Sequence, residues 1–240
     1  MESNADAAAF SRFFRLDWDA AQVISEIGRL APEITPYMNR LPGLRVLCSS
    51  DPEETLYSFL CSVNNNIRRI TTMVIKLAAY GTPLVKFEDR TLHRFPSSEL
   101  IANIPESDLR TSGFGYRART IPNVARQVVA RGGRRWLESL KQGTYEEAHA
   151  ELKSLNGVGP KLADCISLFG LGFTESVPVD THVWQAACRL YFPEWKDKAV
   201  TEHRYEEVGR VLRDKLGKLA GWGHQHLFYE NVLNWRERRK

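Results

Sequence analysis

The stretch Leu155-Asn156-Gly157-Val158-Gly159-Pro160-Lys161 joins two segments of helical character, and its reading decides the fold. Before it, Thr144 to Ser154 opens with a capping pattern, Thr144 followed three residues on by Glu147. After it, Pro160 stands where a helix starts, and Leu162, Ala163, Ile166 and Phe169 fall on one face. Glycines at 157 and 159 can take positive φ and expose main-chain N–H groups. Amides turned to one point, with a helix N-terminus behind them, make an anion site suited to a phosphate. An ordinary tight turn between helices accounts for Gly-Val-Gly equally well, so the motif alone leaves both readings open.

The rest of the chain reads as mainly helical, with Gly- and Pro-rich breaks and little period-2 alternation. Asp19 to Leu30 is a helix stopped before Pro32. Asp51-Pro52-Glu53-Glu54 is a helix start with Asp as N-cap, and Leu56, Phe59 and Leu60 are expected inside. Asn64-Asn65-Asn66 leads into a stripe of Ile67, Ile70, Val74, Ile75 and Leu77 or Ala78 that ends at Gly81. Residues 82–96 are a loop or short ribbon, followed by short helices near 97–103 and 106–111. Tyr116 to Ala130 reads as helical despite Pro122, and Trp136 to Lys141 as a short helix. Thr181 to Tyr191, Glu202 to Leu216 and Trp222 to Arg236 complete the set.

At 240 residues, 43% hydrophobic and 26% charged, the composition excludes a disordered chain. A net charge of +4 does not diagnose nucleic-acid binding, so the distribution matters more. From Arg110 to Arg135 there are seven arginines and no acid (Arg110, Arg117, Arg119, Arg126, Arg131, Arg134, Arg135). That bias suits a phosphate-facing surface, and equally a solvated helix face whose acids lie elsewhere in the fold. Cys48, Cys61, Cys165 and Cys188 form no CxxC pair and no zinc or iron–sulfur spacing. Cys48, Cys61 and Cys188 read as core thiols, and His93, His149, His203 and His226 as surface or satisfied histidines. Met1 to Phe10 carries no basic leader, and no apolar run approaches the roughly 18 residues of a membrane span. The expectation is an intracellular, DNA-associated chain without a membrane segment, in cytoplasm or nucleoid of a prokaryote or in a nucleus.

Lys161 falls in the first turn of the helix after the hairpin, where a cation is disfavoured. A lysine held against the positive end of a helix and partly desolvated loses its proton more readily, and the neutral amine is the nucleophile of Schiff-base chemistry. The plain alternative is a surface lysine that binds phosphate. Further on, Val177-Pro178-Val179-Asp180-Thr181-His182 places a carboxylate after an apolar, Pro-stiffened stretch at a helix start. Asp is a favoured N-cap, worth about 1 kcal/mol, and can at the same time face a cationic transition state.

Four motifs occur in order: Asn64-Asn65-Asn66-Ile67, Gly115-Tyr116-Arg117-Ala118-Arg119, Leu155-x-Gly-Val-Gly-x-Lys161-x-Ala-Asp-Cys165 and Val177-Pro-Val-Asp180-x-His182. From about Phe14 to about Asn231 the chain resembles the helix–hairpin–helix DNA glycosylases with a Gly/Pro–Asp loop. Within them it resembles the bifunctional 8-oxoguanine DNA glycosylase/abasic-site lyases. The resemblance implies an all-α fold of two helical lobes, about 14–50 plus 160–240 and 51–159, with the hairpin unit at 144–170 and the active site in the cleft between lobes. It implies Lys161 as the nucleophile on the sugar C1′ and Asp180 as the group that stabilises the oxocarbenium and assists proton transfers. Cys165 and Phe228 would sandwich the flipped base. Asn64, Arg69 and Arg117 would contact the cytosine left in the duplex, and Tyr116 would wedge into the gap. His182 and the amides of Gly157 and Gly159 would hold phosphates. The carbonyls of Lys153, Leu155 and Val158 would bind a structural monovalent or divalent cation, and no other cofactor is required.

Three departures from the family pattern stand out. The chain starts almost at the helical part, without the β-rich N-terminal domain of eukaryotic-type members. The glutamine that meets the base's Watson–Crick edge aligns with His224, with Gln225 beside it. The tail Trp235 to Lys240 is a further candidate for base contact, or simply a basic end. The expected activity is excision of 8-oxoguanine opposite cytosine from duplex DNA by a monomer, followed by β-elimination. Alternatives are a non-catalytic helix–hairpin–helix module and a related glycosylase for another damaged base.

Overall fold

A computed structural model describes the backbone from Asn4 to Glu237 and the side chains of residues 7–234. The tail named above therefore lies outside the described side chains. In chain order the helices are α1 (Asn4–Phe14), α2 (Ala20–Leu30), α3 (Thr35–Met38), α4 (Pro52–Ser62) and α5 (Ile67–Ala78). A hairpin of β1 (Pro83–Phe87) and β2 (Arg90–His93) follows, antiparallel, with Lys86 opposite Thr91. Then come α6 (Ser98–Ala102), α7 (Glu106–Thr111), α8 (Arg117–Ala130), α9 (Arg134–Ser139), α10 (Tyr145–Lys153) and α11 (Pro160–Ile166). The chain closes with α12 (Thr181–Leu190), α13 (Glu202–Leu216) and α14 (Ala220–Glu237). The helical class expected from the sequence holds. The chain divides into two units, Met1–Ser50 with Ser167–Lys240, and Asp51–Ile166.

In the unit 51–166, the caps read from sequence are in place. Asp51 accepts from the amides of Glu53 and Glu54, and Asn66 from that of Arg69. Thr144 and Glu147 form a reciprocal capping box. Leu56, Tyr57, Leu77, Ile101, Leu109, Phe114, Ile121, Leu137 and Leu152 are fully buried, each worth about 1.5–3 kcal/mol against exposure. A buried polar chain ties α4 to α6: the Glu53 carboxylate accepts from the Ser98 amide and hydroxyl, and Ser98 Oγ accepts from Tyr57. Pro122 sits inside α8 without ending it, since α8 is buried along the face that carries Ile121, Val124 and Val128.

The expected stripe on α5 needs correcting. Met73 and Leu77 are its buried residues, while Ile67 is 74% and Ile75 55% exposed. The face is set by what packs against it, and a run with apolar residues on both sides of the helix fits two phases of the 3.6-residue period. His226 also departs from expectation: it is buried, and neither ring nitrogen has a hydrogen-bond partner among the described residues.

The discontinuous unit builds its core from Val23, Ile27, Ile34 and Met38 of the N-terminal segment and from Val183, Trp184, Val208, Leu212, Trp222 and Leu227 of the C-terminal helices. Its packing is tight at Gly221, where a Cβ would come 2.6 Å from both Leu168 Cδ1 and the Thr174 carbonyl oxygen. That close approach lets the Gly221 amide donate to Thr174 at 2.7 Å and anchors the start of α14.

Candidate active site

The hairpin between α10 and α11 is a turn in which Gly157 alone takes a left-handed φ, +121°. The expectation that both glycines adopt positive φ is corrected for Gly159. A Cβ at 157 would meet Thr120 Cγ2 at 2.8 Å, whereas at 159 nothing lies within 4 Å. Gly157 therefore serves the turn, and Gly159 leaves open space before α11. Val158 donates its amide to the Leu155 carbonyl at 2.9 Å, closing the hairpin.

Lys161 follows in the first turn of α11, half-buried, with no hydrogen-bond or ion-pair partner among the described residues. Behind it, α11 is held by its one buried acid. Asp164 Oδ1 accepts from the Tyr145 hydroxyl at 2.6 Å, and Oδ2 lies 3.6 Å from His149 Nε2. His149 also lies 3.3 Å from the Pro160 carbonyl oxygen. A buried carboxylate hydrogen-bonded to Tyr145, with His149 of the same helix beside its other oxygen and against the Pro160 carbonyl, fixes the rotation of α11 relative to α10, and hence the direction in which Lys161 leaves the helix. This bracing was missed in the sequence, although Tyr145 and His149 stand four apart on one helix face. Cys165 is the next residue, a buried thiol.

The Asn triplet divides its labour. Asn65 donates to the Cys61 carbonyl at 2.9 Å, and Asn66 caps α5. Asn64 is exposed, in the left-handed region at φ +45°, with no hydrogen bond among the described residues. Asn tolerates that conformation better than most residues, and such strain gathers at functional positions. The carbonyl just before it, Val63, accepts from both the Tyr116 hydroxyl and the Arg117 guanidinium. Tyr116 is 53% exposed, whereas Arg117 is 2% exposed. Arg69 is exposed and donates to the Gly113 carbonyl.

The basic segment 110–135 is not one phosphate-facing surface. Arg110 pairs with Glu106 at 2.6 Å and Arg134 with Asp51 at 2.6 Å. Arg126 donates to the Ala102 carbonyl, and Arg131 lies over the Trp136 ring. Arg119 and Arg135 remain exposed with no such partner among the described residues.

In the other unit, Asp180 caps α12 with one oxygen: Oδ1 accepts from the amides of His182 and Val183, both at 2.9 Å. Oδ2 has no hydrogen bond among the described residues, so the cap leaves half the carboxylate for other work. His182 stands edge-on to Phe228, ring centroids 5.7 Å apart at 89°. His224 stacks against the same ring at 6.4 Å and 18°. It is itself buried, with Nε2 2.8 Å from the Pro178 carbonyl oxygen, and Gln225 is buried beside it. Phe228, half-buried, is thus a shelf backed by two histidines.

A glycine turn that offers a lysine from a helix start, and an apolar Pro-led loop that ends in a capping aspartate, define a helix–hairpin–helix protein with a Gly/Pro–Asp loop. The chain belongs to the HhH-GPD superfamily of base excision DNA repair proteins, whose family description matches residues 57–210. N-glycosylase/DNA lyase OGG1 of Arabidopsis thaliana is 38% identical over 218 residues, covering 90% of this chain and 60% of that protein. N-glycosylase/DNA lyase of Saccharomyces cerevisiae is 34% identical over 248 residues, covering 92% of this chain and 65% of that protein. The chain thus spans 60–65% of the length of these curated relatives. Among solved structures, the Clostridium acetobutylicum 8-oxoguanine glycosylase/lyase, in complex with double-stranded DNA containing cytosine opposite 8-oxoguanine, superposes with a TM-score of 0.85. It is 28% identical, over 98% of this chain and 77% of that one. The 3-methyladenine DNA glycosylase of Archaeoglobus fulgidus, 21% identical at a TM-score of 0.74, shares the fold.

Proposed function

We propose that the chain excises 8-oxoguanine, paired with cytosine, from duplex DNA and then nicks the strand as an abasic-site lyase. The observation that carries this reading is Lys161, unpartnered among the described residues and braced through Asp164 at the start of α11. The names of the relatives support the glycosylase/lyase chemistry, the solved neighbour with cytosine opposite 8-oxoguanine supports the substrate, and the superfamily supports base excision.

The Lys161 amine attacks C1′ of the nucleotide, the C1′–N9 bond breaks, and the base leaves with its electron pair and takes up a proton. Opening of the sugar gives a protonated imine between Lys161 and C1′. Loss of a C2′ proton then expels the 3′ phosphate. Asp180 supplies negative charge to the oxocarbenium-like transition state through the oxygen its cap leaves over. Tyr116 fills the gap left by the extruded base, Asn64, Arg69 and Arg117 read the opposite cytosine, and His182 with the hairpin amides holds phosphates. Phe228, with His224 and Gln225 beside it, would stack on the flipped base, and the Cys165 thiol is the family's second contact to that base. The reaction needs no redox cofactor. The Leu155 and Val158 carbonyls are hard oxygen donors of the kind that hold alkali or alkaline-earth cations, and with Lys153 they would seat one that bridges the hairpin to a phosphate. The cell compartment follows the DNA that is repaired.

The test is borohydride trapping on a duplex with 8-oxoguanine opposite cytosine. The wild-type chain should form a covalent adduct and release the base. Lys161→Gln should bind the same duplex within about threefold, release no base and form no adduct. An adduct of undiminished yield with Lys161→Gln would overturn the assignment.

A further inference from the structure

His182, Gln185 and Arg189 lie three and four residues apart on one face of α12, and all three meet Asn231 of α14. Asn231 is 1% exposed. Its oxygen accepts from Arg189 Nη2 at 3.0 Å. Its nitrogen lies 3.1 Å from Gln185 Oε1 and 3.1 Å from His182 Nδ1. A guanidinium can only donate, so Arg189 fixes which end of the amide is oxygen. The two amide protons then point at Gln185 and at His182. An N–H cannot accept, so His182 Nδ1 must offer its lone pair, and the proton of the neutral ring sits on Nε2. Phe228, one turn before Asn231 on α14, holds the ring plane edge-on.

We propose that Asn231 is a positioning residue that locks His182 in the Nε2–H tautomer and so makes it a neutral hydrogen-bond donor to a phosphate oxygen. The inference rests on the duplex-DNA reading above and deepens it. A neutral donor adds direction to the phosphate contact without contributing a counterion-releasing charge. A carboxylate at 231 would do the opposite, because it would accept from Nδ1–H and favour the doubly protonated ring.

The tautomer can be read in the full-length chain labelled with ¹⁵N-histidine, by long-range ¹H–¹⁵N correlation at pH 7.5, with His182→Gln identifying the signal. The wild type should show the Nε2–H pattern. Asn231→Leu should give mixed tautomers, and Asn231→Asp should protonate Nδ1. The near-isosteric Asn231→Asp keeps the experiment decisive if Asn231→Leu does not fold. Binding is then measured to a duplex with a tetrahydrofuran abasic analogue. Asn231→Leu and His182→Gln should each weaken it about tenfold, and the double variant no further. A wild-type Nδ1–H pattern, a tautomer unmoved by both Asn231 substitutions, or additive losses would overturn the lock. If the wild type ignores the duplex altogether, the DNA reading fails and the phosphate role with it, while the spectra still decide the tautomer.

Discussion

Tyr116 and Arg117 hang from one acceptor: the Val63 carbonyl receives the Tyr116 hydroxyl at 3.2 Å and the Arg117 guanidinium, whose carbon lies 4.5 Å from the Tyr116 ring centroid. Arg117 is buried, its Nε has no hydrogen-bond partner, and it has no ion pair among the described residues. Burial pushes the nearby Cys61 thiol up to about 12, with the Arg117 charge opposing. A desolvated cation held by one carbonyl and one ring costs free energy in the free protein, which a new acceptor can return.

Replacing it should therefore separate stability from recognition. Arg117→Met keeps the length of the side chain and removes the buried charge. We expect a melting temperature equal to or a few degrees above wild type, about 1–2 kcal/mol at most. Excision from duplexes with each of the four opposing bases should lose its preference for cytosine. A melting temperature more than 5 °C lower would instead make Arg117 a structural cation, since about 1 kcal/mol already moves a domain of this size by 2–4 °C.

Asp180→Asn keeps the cap, because Asn is about as good as Asp at that position. Folding should change by less than about 0.5 kcal/mol, and duplex binding should persist. Base release under single turnover should slow by about 10²-fold or more, since the carbonyl oxygen carries no full charge. Asp180→Ala should lose about 1 kcal/mol of stability as well. An Asp180→Asn variant as fast as wild type would reduce Asp180 to a cap.

The two hairpin glycines should fail in different ways. Gly157→Ala forces a Cβ to 2.8 Å from Thr120 Cγ2 at φ +121°, and should cost about 2 kcal/mol in a denaturant melt. Gly159→Ala meets nothing within 4 Å and should fold normally. Its methyl instead occupies the space a phosphate would approach, so affinity for duplex should drop about tenfold. Equal stability losses at the two positions would contradict this division.

His226 sets an acid limit. Burial lowers its pKa from 6.5 to about 4. Between those values the unfolded chain binds the extra proton, so stability is complete above pH 6.5, falls as the pH drops and levels off below 4. The loss approaches about 3 kcal/mol at the bottom of that window. Denaturant midpoints at pH 7.5 and 5.0 should show it, and His226→Leu should flatten that part of the profile.

What was legible in the sequence was local. Asp51, Thr144 and Asp180 act on amides two or three residues away, and each of these caps is where the sequence places it, whereas for α5 the sequence offers the triplet Asn64–Asn66 and the structure picks Asn66. Lys161 and the hairpin were legible for the same reason. What escaped was set by distant partners. The acids that neutralise Arg134 come from residue 51 and beyond, so an acid-free window from 110 to 135 looked more basic than its surface is. The burial of Arg117 depends on a carbonyl fifty-four residues earlier in the chain. The exposed Ile67 and Ile75 carry no mark in the sequence that tells them from core residues.

The discontinuous unit has a consequence for synthesis on the ribosome. Asp51–Ile166 is a compact, continuous unit that is complete once Ile166 has emerged, and it can fold at that point. The apolar face of Val23, Ile27, Ile34 and Met38, although made earlier, has no partner until α12 to α14 follow. At ordinary elongation speeds that interval is roughly 10–40 s, long beside helix formation. That segment, although made before residues 51–166, is thus among the last to fold, and it is a part of the nascent chain that a chaperone would hold.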